Sequence, residues 1–112
     1  MKIIFSAREN RGGDSPLDDR FGRAAGFALF DDEKGEWSWI DNTSNADAAG
    51  GAGVQAGQAV ANSGAGVYIG AQLGPKAQAV LSKTSIQLFA GEANKSAAEN
   101  YSLYKAGKLQ KL

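Results

Sequence analysis

The sequence predicts an α/β fold: a mixed five-stranded sheet with three helices packed on it, in the order βββαβαβα. Three observations predict it. The front half carries short apolar runs with strand-like alternation, two of them joined by a hairpin loop. The back half alternates glycine-bracketed strands with segments of helical spacing. The 15 glycines are spread along the chain and not pooled in a linker, so they mark turns and close backbone approaches.

Taken in order, Ile3-Ile4-Phe5 is a continuous apolar run suited to a buried central strand. Residues 7–16 form a charged, glycine-containing loop. Residues 26–31 and 36–41 read as two strands, with Trp37 and Trp39 on one face and Asp32-Glu33-Lys34-Gly35 as the hairpin loop. That tryptophan pair is either core or an exposed docking patch. Residues 42–49 are small and polar, a loop. A helix follows over 52–61, with a narrow stripe of Ala52, Ala56, Ala59 and Val60 that lets it sit close to a sheet. Val67-Tyr68-Ile69 is a strand between glycines, and Pro75 opens a second helix with Ala77, Val80 and Leu81 inward. Ile86 to Phe89 is the last strand, and Ser96-Ala97-Ala98-Glu99 is a capping box opening a third helix that stops at Gly107.

At 112 residues the chain is one domain, 1–112, with room for a modest core. Net charge is zero, which argues against nucleic acid as a partner. No apolar run approaches the roughly 20 residues of a membrane span, and the expectation is a cytoplasmic monomer. There is no Cys and no His, so neither a Ser-His-Asp nor a Cys-His device can be built, and the usual soft or borderline metal ligands are missing. The central strands offer no carboxylates for a two-metal site, so the expectation is a protein that is not an enzyme.

What the chain does offer is three glycine-punctuated turns: Arg20-Phe21-Gly22-Arg23, Gly50-Gly51-Ala52-Gly53, and Gly70 to Lys76. Two of them open helices, and such turns can present backbone N–H groups to an anion. If the first strand lies beside Val67-Tyr68-Ile69, these turns meet beyond the carboxyl ends of parallel strands. Arg8 and Arg11 lie on the loop after the first strand, Lys76 sits on the turn from Gly70 through Gly74, and Arg20 and Arg23 flank Phe21. Each motif alone is equally compatible with plain turn chemistry or close packing. Gly51-Ala52-Gly53-Val54-Gln55-Ala56 also matches a dinucleotide fingerprint by letter, but a polar loop precedes it and no acidic residue follows about 20 positions on.

Further segments stand in register with these: Asp14-Ser15-Pro16-Leu17, a strand pair ending near Asp41-Asn42, Ile69-Gly70 then Gly74-Pro75, and Tyr104-Lys105-Ala106-Gly107-Lys108-Leu109. In this order they resemble the dinitrogenase iron-molybdenum cofactor biosynthesis family over nearly the whole chain. The resemblance implies a ribonuclease H-like layout without nuclease activity, and a role in carrying metal–sulfur clusters. Many members have a His before the glycine-rich helix start, where this chain reads Asn45-Ala46-Asp47-Ala48-Ala49. That departure brings it nearer a branch of small orange-coloured proteins, whose molybdenum-copper sulfide cluster is held without covalent ligation. The implied cargo is such a cluster, or alternatively one of iron-molybdenum type. The implied site is Arg8, Arg11, Arg20, Phe21, Gly22, Arg23, Gly50, Gly51, Ala52, Gly53, Gly70, Gly74 and Lys76, with no protein metal ligand. The competing reading is a cluster-free regulatory or scaffold module that binds a protein partner.

Overall fold

The structure, a computed structural model, describes residues 1–46 and 51–112. Its strands are β1 (Lys2–Ala7), β2 (Gly26–Asp31), β3 (Glu36–Asp41), β4 (Val67–Gly70), β5 (Gln87–Ala90) and β6 (Gln110–Lys111). They form one mixed sheet in the order β3-β2-β1-β4-β5-β6. Among the described residues the sheet therefore has six strands, not the expected five. Strand β6 is two polar residues long, pairing Lys111 with Phe89 and Gln110 with Ala90 in an antiparallel sense. Two residues cannot display a period, and a short, charged edge strand is a common way to blunt a sheet edge.

Strand β1 is internal. It runs parallel to β4, with Ile3, Ile4 and Phe5 opposite Val67, Tyr68 and Ile69. It runs antiparallel to β2, which in turn is antiparallel to β3. Strand β5 continues the parallel half beside β4. Among the described residues the helices are α1 (Thr43–Ala46, a single turn), α2 (Ala52–Ala61), α3 (Pro75–Leu81) and α4 (Ala97–Lys105), with a 3-10 turn at Gly12–Asp14. The three longer helices are those that the sequence pattern predicts.

Alternation along the strands builds two cores on opposite faces of the sheet. Ile4, Phe27 and Tyr68 point to one face, under Ala56 and Val60 of α2 and Ala77 and Leu81 of α3. Ile3, Phe5, Ala28, Val67 and Ile69 point to the other, where Ala97 and Tyr101 of α4 cover them. Small residues let α2 and α3 pack closely: a methyl at Gly57 would stand 3.3 Å from the Val80 Cβ. Trp37 and Trp39 belong to the α4-side core, with the Trp37 ring 4.5 Å from Phe30 and 5.7 Å from Phe5 between centroids. This is packing, and it removes the reading of the pair as an exposed patch.

Helix α4 begins at the capping box that the sequence spells out. The Ser96 hydroxyl accepts from the Glu99 N–H at 3.2 Å, and the Glu99 carboxylate accepts from the Ser96 N–H at 3.0 Å. That backbone hydrogen bond lowers the Glu99 pKa below its ordinary 4.5. A carboxyl whose folded pKa is depressed contributes its stability above the unfolded value and loses it as pH falls through the folded one. Ser96→Ala is expected to cost about 1 kcal/mol, roughly 4 °C in melting temperature. Glu99→Gln is expected to flatten the loss of stability below about pH 4.5, measured by thermal unfolding across pH.

Candidate functional site

The site lies beyond the carboxyl ends of the parallel strands, where the chain turns away from the sheet. Strand β4 ends at Gly70, and residues 71–74 lead into α3, with Pro75 at its first position and Gly74 as its N-cap. Gly51, in the left-handed region at φ 77°, is the N-cap of α2. Neither glycine has a side chain to cap its helix. The first-turn N–H groups of a helix have no acceptor within it; in α3 Pro75 has no N–H, so its first turn offers those of Lys76 and Ala77. The two helix starts are neighbours, because a Cβ at Gly53 would stand 3.9 Å from the Ala77 Cβ.

The third wall is the turn between the first loop and β2. Phe21 is buried, its ring 5.5 Å from both Phe27 and Tyr68. Gly22 then passes so close to α2 that an added Cβ would meet the Gly53 nitrogen at 2.9 Å and the Ala52 carbonyl carbon at 3.1 Å. No side chain fits there. Arg23 follows and is exposed.

These segments enclose a cleft of about 490 Å³, lined by Phe21, Gly22, Arg23, Gly51, Ala52, Gly53, Gln72, Gly74, Pro75, Lys76 and Ala77. Eight positions marked in the sequence thus come together: Phe21, Gly22, Arg23, Gly51, Ala52, Gly53, Gly74 and Lys76. Gln72, Pro75 and Ala77 join them; all three lie within or beside the glycine-punctuated turn after β4, which was the available signal. The lining is chiefly apolar side chain and glycine backbone, with the cations Arg23 and Lys76 set into it. Such a surface suits an anion with an apolar or polarisable body.

The other marked positions lie elsewhere. Arg8 reaches toward Asp19 at 3.5 Å, and Arg11 pairs with Glu9, both in exposed surroundings. Gly70 lines a second cleft of about 450 Å³ with Asp18, Asp19 and Gly91, and Gln72 borders both clefts. Gly50 lies outside the described residues. Arg20 faces Asp18, donating from Nε to Oδ1 at 3.2 Å, from a terminal guanidinium nitrogen to Oδ2 at 3.3 Å, and from its backbone N–H to Oδ1 at 3.0 Å. The hydrogen bond to Asp18 holds the Arg20 guanidinium still more firmly protonated than an ordinary arginine.

Asp18 is fully buried, although the composition of its loop suggests a solvated carboxylate. It belongs to a polar knot at the ends of β1 and β4. The Ser6 hydroxyl donates to the Asp18 carbonyl at 3.1 Å and accepts from the Ala71 N–H at 3.1 Å. The Tyr68 hydroxyl donates to the Ala71 carbonyl at 2.7 Å, and burial pushes this phenol well above its usual range. A second buried polar residue is Asn42, at the end of β3, whose amide donates to the carbonyls of Gly22 and Ala24. Among the described residues no group of three His, Cys, Asp or Glu could hold a metal ion, and no helix is long and apolar enough to cross a membrane.

With this geometry in place, known proteins offer a comparison. A family model described as dinitrogenase iron-molybdenum cofactor matches residues 1–107. Among solved structures, the apo form of the orange protein from Desulfovibrio gigas is similar with a TM-score of 0.91 and 31% identity, over 99% of this chain and 92% of that one. A NifB-like protein of the DUF35 family from Thermotoga, solved by NMR, gives a TM-score of 0.82 and 25% identity, again over 99% and 92%. No curated protein sequence matches.

Proposed function

The chain belongs to the dinitrogenase iron-molybdenum cofactor family, and on that premise we propose that it is a non-enzymatic carrier of an anionic metal–sulfide cluster, held without covalent bonds in the cleft between Phe21 and Lys76. The cluster is cargo. A molybdenum-copper sulfide is the preferred identity and an iron-molybdenum cluster the alternative. Similarity to the orange protein supports the first. The strand order β3-β2-β1-β4-β5 also supports reading the sheet as ribonuclease H-like with one strand added.

The observation that carries the reading is the lining of the cleft. It joins glycine backbone at Gly22, Gly51, Gly53 and Gly74 with Arg23, Lys76 and the Phe21 wall. A cluster whose own sulfides complete its coordination needs no thiolate or imidazole from the protein. It needs N–H donors, positive charge and a surface that excludes water, because electrostatic attraction strengthens as solvent is removed. The chain has no Cys and no His with which to do otherwise.

The test is a titration of the protein with tetrathiomolybdate and Cu(I), followed by visible absorption after gel filtration, at low and high ionic strength. A coloured complex that elutes with the protein and loosens in salt is expected, since partly exposed charge pairs are screened. The proposal fails if colour never elutes with the protein, or if affinity is the same at both ionic strengths.

A further inference from the structure

We infer that Asn42 is a positioning residue of the cleft: from the end of β3 it holds residues 22–25, of which Gly22 and Arg23 line the cleft, and so governs how tightly an anion is held. The inference rests on the carrier reading for its ligand but not for its geometry. Asn42 is fully buried. Its side-chain amide nitrogen donates to the Gly22 carbonyl at 3.1 Å and to the Ala24 carbonyl at 2.9 Å, and its backbone N–H donates to the Ala25 carbonyl at 3.0 Å. One residue thus satisfies three carbonyls within a single four-residue stretch.

The position of this clasp explains its effect. Phe21 is secured separately by its ring contacts with Phe27 and Tyr68. Gly22 has no side chain to anchor it, yet it must lie against Ala52 and Gly53 at the start of α2. Arg23 comes next, between the two residues whose carbonyls the Asn42 amide holds. Asn42 ties this stretch down from just past the end of β3. Outer-shell groups that orient metal ligands typically change affinity tenfold to a hundredfold when removed, and a change of the same order is expected for a group that orients the cleft wall.

Only a donor can do this. Asn42→Asp has the same shape but aims a carboxylate at two carbonyl oxygens, and Asn42→Ala removes the group. Both variants, the wild type and Ser96→Ala, which loses a helix cap on the opposite face, are to be titrated with tetrathiomolybdate well below their melting temperatures. Amide hydrogen exchange on the unloaded proteins accompanies the titrations. Both Asn42 variants are expected to bind about tenfold or more weakly and to exchange faster at Gly22, Arg23 and Ala24. Ser96→Ala is expected to bind like wild type despite its lower stability. Unchanged exchange at residues 22–24 in the Asn42 variants overturns the inference, whatever the ligand does. Wild-type affinity in Asn42→Asp also overturns it. Wild-type protein that ignores tetrathiomolybdate removes the carrier reading and the anion-binding role of Asn42 with it, while faster exchange at residues 22–24 would still record the clasp.

Discussion

Replacing Arg23 and Lys76 together with alanine is expected to weaken tetrathiomolybdate binding by about a hundredfold while leaving the melting temperature nearly unchanged. Both side chains are exposed and line the cleft. Charge-assisted hydrogen bonds contribute roughly 1.5–3 kcal/mol each, and solvent exposure places these at the lower end. Two such losses total about 3 kcal/mol, which is about two decades in dissociation constant. Arg20 provides the contrast. Its guanidinium is paired with a buried carboxylate, so Arg20→Ala strands Asp18 without its counter-ion. That variant is expected to lose stability and keep most of its affinity. Absorbance titrations with thermal unfolding of the same samples check both. Equal losses of affinity in Arg20→Ala and Arg23→Ala would show that charge near the cleft matters as much as charge in it, against this expectation.

Gly70→Ala is expected to be strongly destabilising. A methyl there would collide with the Ser6 hydroxyl and stand 2.7 Å from the Tyr68 hydroxyl. Both are buried members of the knot that ties the end of β1 to residue 71. Overpacking of this kind costs about 1–3 kcal/mol, and displaced buried hydrogen bonds add a similar amount. A fall of about 8–24 °C in melting temperature follows for a domain of this size. Circular dichroism melts measure it. Ser6→Ala in the same background should recover part of the loss by making room. Failure to recover any of it would mean that losing the Ser6 hydrogen bonds to Asp18 and Ala71 costs as much as the room gained.

How far the sequence could be read depended on whether a feature repeats along the chain or closes across it. Strands β2 and β3 show two-residue alternation, α2 has its small-residue stripe, and α4 has both halves of a capping box within four residues. Those are local, and their bounds could be placed from composition and spacing. The meeting of residues 21–23, 51–53 and 74–76 followed from one topological guess, that β1 and β4 are parallel neighbours, because adjacent carboxyl ends gather whatever turns follow them. Strand β6 was hidden because two residues carry no pattern. The partners of the arginines were hidden for a different reason. Arg8, Arg11 and Arg20 each lie within about a dozen residues of several carboxylates, and only the folded path of the first loop decides which pair forms. The roles of Asp18 and Asn42 are wholly three-dimensional: a polar residue in a polar loop looks solvated until the chain closes over it.

The placement of Trp37 and Trp39 has a practical consequence. They are the chain's two tryptophans, and both belong to the layer under α4, with the whole sheet between them and the cleft. Their emission maximum reports the polarity of that layer alone. Unfolding should shift it to longer wavelength, whereas cargo entering on the other side should leave its position where it was. The molecule therefore carries an internal indicator of its own integrity that is blind to loading, and a single cuvette can separate a variant that has lost its grip from one that has lost its fold.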